Sequence, residues 1–183
     1  MTKEEELLLM EQLADPATQR KAFERLVKTF SEPLYWQVRR IVLSHEDADD
    51  VMQNVMIKAW TKLDSFQKEA RISTWIYRIA INESLDFMRR KKTRQMVSTD
   101  EGEISVARQL MADEYFDGDE TAALLQEAIA QLPDVQRTVF NLRYFDDMKY
   151  SDISQMLQTT EGALKASYHL AVKKISEYFH RHD

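Results

Sequence analysis

The stretch Arg71–Arg94 constrains the fold most, because its apolar residues recur at the helical period on two opposite faces. One face holds Ile72, Trp75, Ile76, Ile79, Ala80 and Phe87, and the other holds Tyr77, Ile81, Leu85 and Met88. A helix that is apolar on two sides packs between neighbouring elements. Only a narrow polar strip is left to face outward. That strip carries Arg78, Asn82 and Arg89, with Arg71 in line if the helix begins that early.

This strip is basic in a chain that is acidic as a whole. The stretch contains seven arginines and lysines and two acids, whereas the chain has a formal net charge of −6. A cationic, hydrogen-bonding strip on a rigid helix suits a phosphate backbone or the edges of bases. A core helix with an ordinary basic end explains the same pattern, and the stretch alone does not separate the two.

The composition predicts a helical protein of the reducing cytosol. The chain has three glycines, three prolines and no cysteine. Scarce helix breakers favour helix throughout, and the absence of cysteine excludes disulfides and thiolate metal sites. The opening residues MTKEEELLLMEQ carry acids where a signal peptide needs positive charge, and no apolar run approaches spanning length. We therefore expect a cytoplasmic protein without membrane insertion.

The chain divides into two helical parts. Helical spacing predicts helices over residues 4–13, 17–43 and 45–63, and the pattern of the second is interrupted near 31–33, as in a hairpin or a kinked helix. Residues 96–118 are acidic and largely aperiodic, which predicts a flexible linker with one short helix near 106–111. The linker can simply join two domains, or its acids can imitate nucleic acid in a basic channel. From residue 119 the helical pattern returns.

The helix predicted from His45 has two distinct faces. Ser44 and Asp47 suit an N-cap and a first-turn carboxylate. A broad apolar arc that includes Trp60 is assigned to the core. The opposite face is polar around one apolar residue, Ile57. A polar face with one anchor is typical of a helix that docks on a partner, although a single exposed apolar side chain is also ordinary.

The C-terminal part has the pattern of a helix-turn-helix. A helix over 150–157, a turn over 158–160 and a helix over 161–179 capped by Thr160 follow in succession. The outward face of the last helix presents Gly162, Lys165, Ala166, His169 and Lys173. Any helical hairpin can imitate this pattern.

Two sets of motifs, in matching order and spacing, resemble one family. DADDVMQNVMIKAW at 47–60 and STWIYRIAINESLDFMRRKK at 73–92 form the first set. LPDVQRTVFNLRYFDDMKYSDISQML at 132–157 and EGALKASYHLAVKKI at 161–175 form the second. They resemble the bacterial RNA polymerase sigma factors of the extracytoplasmic-function (ECF) type, which belong to the sigma-70 family.

The resemblance implies an all-α fold of two small domains joined by a flexible acidic linker: region 2 over 1–95, the linker over 96–118, and region 4 with its helix-turn-helix over 119–183. It implies a transcription initiation factor that binds core RNA polymerase, directs it to the −10 and −35 promoter elements and helps to open the DNA. It implies no enzymatic activity, cofactor, metal or small-molecule substrate. The partners would be promoter DNA, the polymerase β′ clamp helices and β flap, and an anti-sigma factor.

The resemblance also assigns residues to each partner. Contacts with the β′ clamp helices would come from Asp47, Asp50, Gln53, Asn54 and Ile57. Contacts with the −10 element would come from Phe66, Arg71, Arg78, Asn82, Arg89, Arg90, Lys91 and Lys92. Contacts with the −35 element would come from Gly162, Lys165, Ala166, Ser167, His169 and Lys173. Apolar positions within 132–142 would serve the β flap or simply the core, and Phe66 would stack on an unpaired base or tuck into the core.

The recognition helix departs from the family pattern. The family's Gly-Thr-Val-Lys is Gly-Ala-Leu-Lys here, and Ser167 and Leu170 stand where arginines are common. We therefore predict a non-standard −35 sequence.

Two other classes of protein are less consistent with the sequence. A DNA-binding regulator with a C-terminal helix-turn-helix would need neither the motif at 47–60 nor the basic strip. An enzyme would need a motif that is absent, since there is no Gly-rich phosphate loop. His180 and His182 are too few to form a metal site, and Asp47, Asp49 and Asp50 suit a helix N-terminus without any metal.

Overall fold

The computed structural model describes residues 1–66, 71–95 and 118–182, and its regular elements are all helices. They are α1 (Lys3–Ala14), α2 (Gln19–Val42), α3 (His45–Thr61), α4 (Ile72–Gln95), α5 (Glu120–Ala130), α6 (Asp134–Tyr144), α7 (Tyr150–Leu157) and α8 (Glu161–His182), with a 3-10 turn at Leu63–Ser65. The chain forms two compact units, Met1–Arg94 and Gln95–Asp183. The all-α fold class is confirmed. The predicted linker lies outside the described residues except for Gly118, and so does the predicted helix at 106–111.

The first unit packs α1–α4 around one apolar core. Its centre consists of side chains with at most 1% of their surface exposed: Leu9, Leu26, Leu34, Val38, Ile41, Val51, Val55, Ile72 and Ile76. Helix α2 continues through Pro33, so the hairpin alternative for residues 17–43 is wrong. Proline removes one helical hydrogen bond, but Phe30 and Leu34 on either side of it are both buried, at 7% and 0% exposure. That burial holds the two halves in one helix.

Helix α3 begins at the predicted residue, but one side chain assigned to its buried face is largely exposed. The hydroxyl of Ser44 accepts a hydrogen bond from the backbone N–H of Asp47 at 3.4 Å, which confirms the cap. Trp60 is 45% exposed, so its assignment to the core is wrong. Its ring meets that of Phe23 edge-on at 5.0 Å between centroids. Phe23 on α2 therefore covers only one side of the indole.

The second unit packs α5–α8 around a smaller core. Its members include Ala128, Ile129, Leu132, Phe140, Ala171, Ile175 and Tyr178. Arg137, only 3% exposed, joins α5 to α6. It donates to the carbonyls of Ala130 and Leu132 at 3.0 and 3.3 Å, and to the carboxylate of Asp134 at 2.8 Å. Burial lowers the pKa of Arg137, and the charge of Asp134 opposes that shift.

Helices α7 and α8 form the predicted helix-turn-helix. Gln158 ends α7 in a left-handed conformation, with φ of 51°. The Ser154 hydroxyl donates to the carbonyl of Thr159 at 2.6 Å and closes the turn. The Thr160 hydroxyl accepts from the N–H of Ala163 at 3.3 Å, which confirms the predicted cap of α8.

Candidate functional site

The polar strip of α4 exists as one continuous face. The carbonyl of Arg71 accepts a hydrogen bond from the N–H of Trp75 at 3.0 Å, so the helical geometry begins early enough to bring Arg71 into line. Asn82 and Arg89 are exposed, and Arg78 is half-buried. Arg89 is paired with Asp86 within the same helix. The strip thus combines three guanidinium groups and an amide along about five turns.

Arg71 is held by an acid that the sequence did not single out. Glu6 on α1 lies 2.6 Å from Nη2 of Arg71 and 2.7 Å from its Nε, both through Oε2. The other carboxylate oxygen accepts from the backbone N–H of Ser73 at 3.1 Å and from its hydroxyl at 2.9 Å. The Glu6 side chain is 4% exposed, whereas that of Arg71 is 64% exposed.

Phe66 lies beside the start of α4. Its ring centroid is 5.0 Å from that of Trp75, and the ring packs against the core of the first unit. The alternative in which Phe66 tucks back onto the core therefore describes its position in this structure. The loop residues that follow it, 67–70, lie outside the described residues.

The five residues assigned to polymerase binding line one groove between α3 and the end of α4. The groove has a volume of about 570 Å³ and is lined by Asp47, Asp50, Gln53, Asn54, Ile57, Phe87, Arg90, Lys91 and Arg94. Ile57 is 61% exposed in it. Acids and amides on the α3 side thus face cations on the α4 side.

Two cations assigned to the −10 element, Arg90 and Lys91, lie in this groove, away from the strip of Arg78, Asn82 and Arg89. Lys91 Nζ is 2.5 Å from Oδ2 of Asp47, so an assigned DNA contact is paired with an assigned polymerase contact. Lys92, the next residue, is exposed.

A second buried acid connects the same two helices. Glu83 on α4 is 6% exposed and forms an ion pair with Lys58 of α3. The sequence contains a signal for it, because Glu83 falls three and four residues from Ala80, Ile79 and Phe87, all on an apolar face. A carboxylate at such a position is buried and needs a cation.

The exposed face of α8 carries acids beside two of its lysines. Gly162, Lys165, Ala166, His169 and Lys173 are exposed as predicted, and Ser167 is half-buried. Lys165 lies 3.7 Å from Glu161, and Lys173 lies 3.9 Å from Glu177. Leu170, on the same side of the helix, is 46% exposed.

Gly162 lies in the first turn of α8. A Cβ atom added to Gly162 would meet no atom within 4 Å, so packing within the unit does not require glycine there.

Among the residues that the structure describes, no group of three or more His, Asp or Glu side chains could hold a metal ion. None of the described helices is both long and apolar enough to cross a membrane.

Comparison with known proteins separates the chain into two matched parts. The model of Sigma-70 region 2 matches residues 26–94, and the model of Sigma-70 region 4 matches residues 122–175. The ECF RNA polymerase sigma factor SigW of Bacillus subtilis is 31% identical over 157 residues, which cover 81% of this chain and 83% of SigW. The RNA polymerase sigma-H factor of Pseudomonas aeruginosa is 28% identical over 174 residues, covering 91% of this chain and 89% of that protein.

The fold is also found in a solved structure. The sigma factor RpoE of Bartonella quintana, crystallised with the anti-sigma factor NepR, aligns with a TM-score of 0.70 at 21% identity. The alignment covers 87% of this chain and 97% of RpoE. At this level of identity the likeness concerns the fold.

Proposed function

The chain belongs to the ECF sigma factors of the sigma-70 family, and we propose a residue-level assignment of its contacts with polymerase and promoter. As a sigma factor it directs RNA polymerase to promoters and is not an enzyme. The observation that carries the assignment is the convergence of Asp47, Asp50, Gln53, Asn54 and Ile57 on one groove of the first unit.

The groove is the docking site for the polymerase, through the β′ clamp helices. Ile57 supplies an apolar anchor in a polar surround, which is the arrangement of an interface hot spot. Trp60, one turn along α3, extends the apolar part of this surface with its exposed 45%. The sequence pattern missed it, because Trp60 lies at the edge of the arc that faces the core.

The strip of α4 binds the opened −10 element. Extruding a base from the duplex costs a few kcal/mol, so the site must return at least that through contacts with the strand. Arg71, Arg78, Asn82 and Arg89 supply donors for bases and phosphates. Phe66, which packs on Trp75 and the core, supports the start of the strip. Arg90, Lys91 and Lys92 add affinity for phosphates.

The exposed face of α8 reads the −35 duplex in the major groove. Lys165, Ala166 and His169 lie nearest the bases, with Gly162 and Ser167 at the edge, and Lys173 holds phosphate. Since Ser167 and Leu170 stand where arginines are common in the family, this face carries less positive charge, and we expect a −35 sequence that differs from the usual family motif.

Two further partners follow from the same surfaces. Val135 on α6 is 60% exposed, whereas Leu132, Val139, Phe140 and Leu142 are buried, so the β flap contacts Val135 and the others serve the core. The Bartonella relative was solved with an anti-sigma factor. By analogy, we propose that this chain also binds an anti-sigma factor.

The test is reconstitution with purified core polymerase. The chain should comigrate with core polymerase and initiate transcription from promoters selected out of random DNA. Asn54→Lys and Ile57→Asp should abolish comigration while leaving the helical circular dichroism unchanged. A chain that binds duplex DNA but never core polymerase would be a regulator of the helix-turn-helix type, and the assignment would fail.

A further inference from the structure

Helix α1 makes a specific connection to the promoter-reading face, although it lies outside the part of the chain that matches region 2, residues 26–94. The connection is a single side chain, Glu6. Leu9, Met10 and Leu13, which lie three to seven residues after Glu6, are buried in the core, so the packing of α1 fixes where this carboxylate stands.

The carboxylate of Glu6 binds the N-terminus of α4 from another helix. Its Oε1 accepts from the backbone N–H and the hydroxyl of Ser73 at 3.1 and 2.9 Å. An acid at this position is the usual partner for the first N–H groups of a helix. Burial by itself raises the pKa of Glu6, but the hydrogen bonds from Ser73 and the pairing with Arg71 outweigh it, and the pKa is lowered. Glu6 is therefore an anion at neutral pH.

The second oxygen of the carboxylate fixes a guanidinium. Both Nε and Nη2 of Arg71 lie within 2.7 Å of Oε2. The contacts of Glu6 are with Nε and Nη2, which leaves Nη1 for another partner, and the Arg71 side chain remains 64% exposed. A planar guanidinium held at two of its nitrogens has lost most of its rotational freedom and presents its remaining donors in one direction.

We propose that Glu6 is a positioning residue for promoter opening: it holds the Arg71 guanidinium in line with Arg78, Asn82 and Arg89 before DNA arrives. Helix α1 is thus part of the promoter-reading site. Preorganisation strengthens binding because the ordering cost of the side chain is met in the folded protein. This inference rests on the proposed function, in which Arg71 contacts the opened −10 strand.

Glu6→Gln separates positioning from capping. A glutamine can keep its oxygen on Ser73, but its NH2 group then faces Arg71, donor against donor, and releases the guanidinium. Ser73→Ala is the matched control, because it removes one hydrogen bond to the same carboxylate and leaves the Arg71 pair in place. Core polymerase affinity and melting temperature are measured for each variant, to show that the first unit is folded.

The assay measures binding of holoenzyme to a fluorescein-labelled single-stranded oligonucleotide with the −10 sequence of a selected promoter. We expect Glu6→Gln to weaken binding about fivefold, the order of the ordering cost of one long side chain, and Ser73→Ala to leave it near the wild-type value. In an Arg71→Ala background, Glu6→Gln should have no further effect. Arg71→Lys, which keeps the charge but not the two-nitrogen contact, should also bind more weakly than wild type.

The outcomes separate the two hypotheses. If Arg71→Ala weakens binding and Glu6→Gln weakens it equally in both backgrounds, Glu6 acts only on stability and the positioning role is overturned. Arg71→Lys binding like wild type would also overturn it. If Arg71→Ala leaves binding unchanged, the assignment of Arg71 to the −10 strand fails. Should Glu6→Gln fail to fold, Glu6→Asp, which keeps the charge but shortens the reach to Arg71, is measured in the same two backgrounds, and an equal loss in both would overturn the positioning role.

Discussion

Replacing Ile57 tests the polymerase groove most directly, because the size of the effect follows from its exposure. Burying an isoleucine side chain fully is worth about 1.5–3 kcal/mol. Ile57 is 61% exposed in the free chain, so covering it with a partner stabilises the complex by about 1–2 kcal/mol. Ile57→Ala should therefore weaken binding to core polymerase by about fivefold to thirtyfold.

Ile57→Asp should do considerably more. It removes the apolar contact and also places a carboxylate where the partner excludes water, which costs several kcal/mol more for an unpaired ion. We expect a loss of more than about a hundredfold. The assay is competition with labelled wild-type chain for core polymerase, measured by fluorescence anisotropy. Because Ile57 is on the surface of α3, the helical circular dichroism and the melting temperature should stay near the wild-type values.

Leu7→Asp is the matched control for this change. Leu7 is 53% exposed on α1 and does not line the groove. The Leu7→Asp variant introduces the same charge on the same unit, but outside the groove, so it should compete for core polymerase as the wild type does. An equal loss for Leu7→Asp and Ile57→Asp, or normal competition by Ile57→Asp, would refute the assignment of the groove.

Three further predictions follow from single contacts. Leu170→Arg adds a cation to the −35 face, so the slope of log affinity against log salt concentration for a −35 duplex should become steeper by about one; an unchanged slope would place Leu170 away from DNA. Arg137→Leu leaves the carbonyls of Ala130 and Leu132 without their buried hydrogen-bond donor, so we expect α5–α8 to be destabilised by about 3 kcal/mol, measured by hydrogen exchange. An opening free energy within about 0.5 kcal/mol of the wild-type value would contradict this. The pKa of Glu6 is lowered in the folded chain, so its stabilisation is present above the ordinary value of 4.5 and is lost as pH falls below it. The difference in unfolding free energy between wild type and Glu6→Gln should be constant from about pH 5 to 7 and shrink below pH 4.5; a difference that grows on acidification would reverse the sign of the argument.

Features that depend on near neighbours in the chain were predictable from the sequence. The caps at Ser44 and Thr160 are hydrogen bonds across three residues, and the structure contains both. The predicted limits of α7, residues 150–157, are the observed ones. Helical periodicity also placed the strip of α4 and the outward face of α8, since the period alone decides which residues share a side.

Features that depend on distant neighbours were not predictable. Glu6 and Arg71 are 65 residues apart, and Lys58 and Glu83 are 25 apart. Both acids stand at apolar positions of their helices, which indicates burial but cannot say which cation is near. Trp60 shows the opposite failure: periodicity placed it in an apolar arc, but the core reaches only one side of its ring.

Two ion pairs join α3 and α4, the helices that carry the proposed polymerase groove and the proposed promoter strip. Lys58 meets the buried Glu83, and Lys91 meets Asp47 inside the groove itself. A partner that fills the groove would therefore contact both helices. The same geometry divides the basic cluster. Lys91 has to leave Asp47 before it can reach a phosphate, whereas Lys92 is already exposed. On the proposed assignment we therefore expect Lys92 to contribute more to phosphate binding than Lys91.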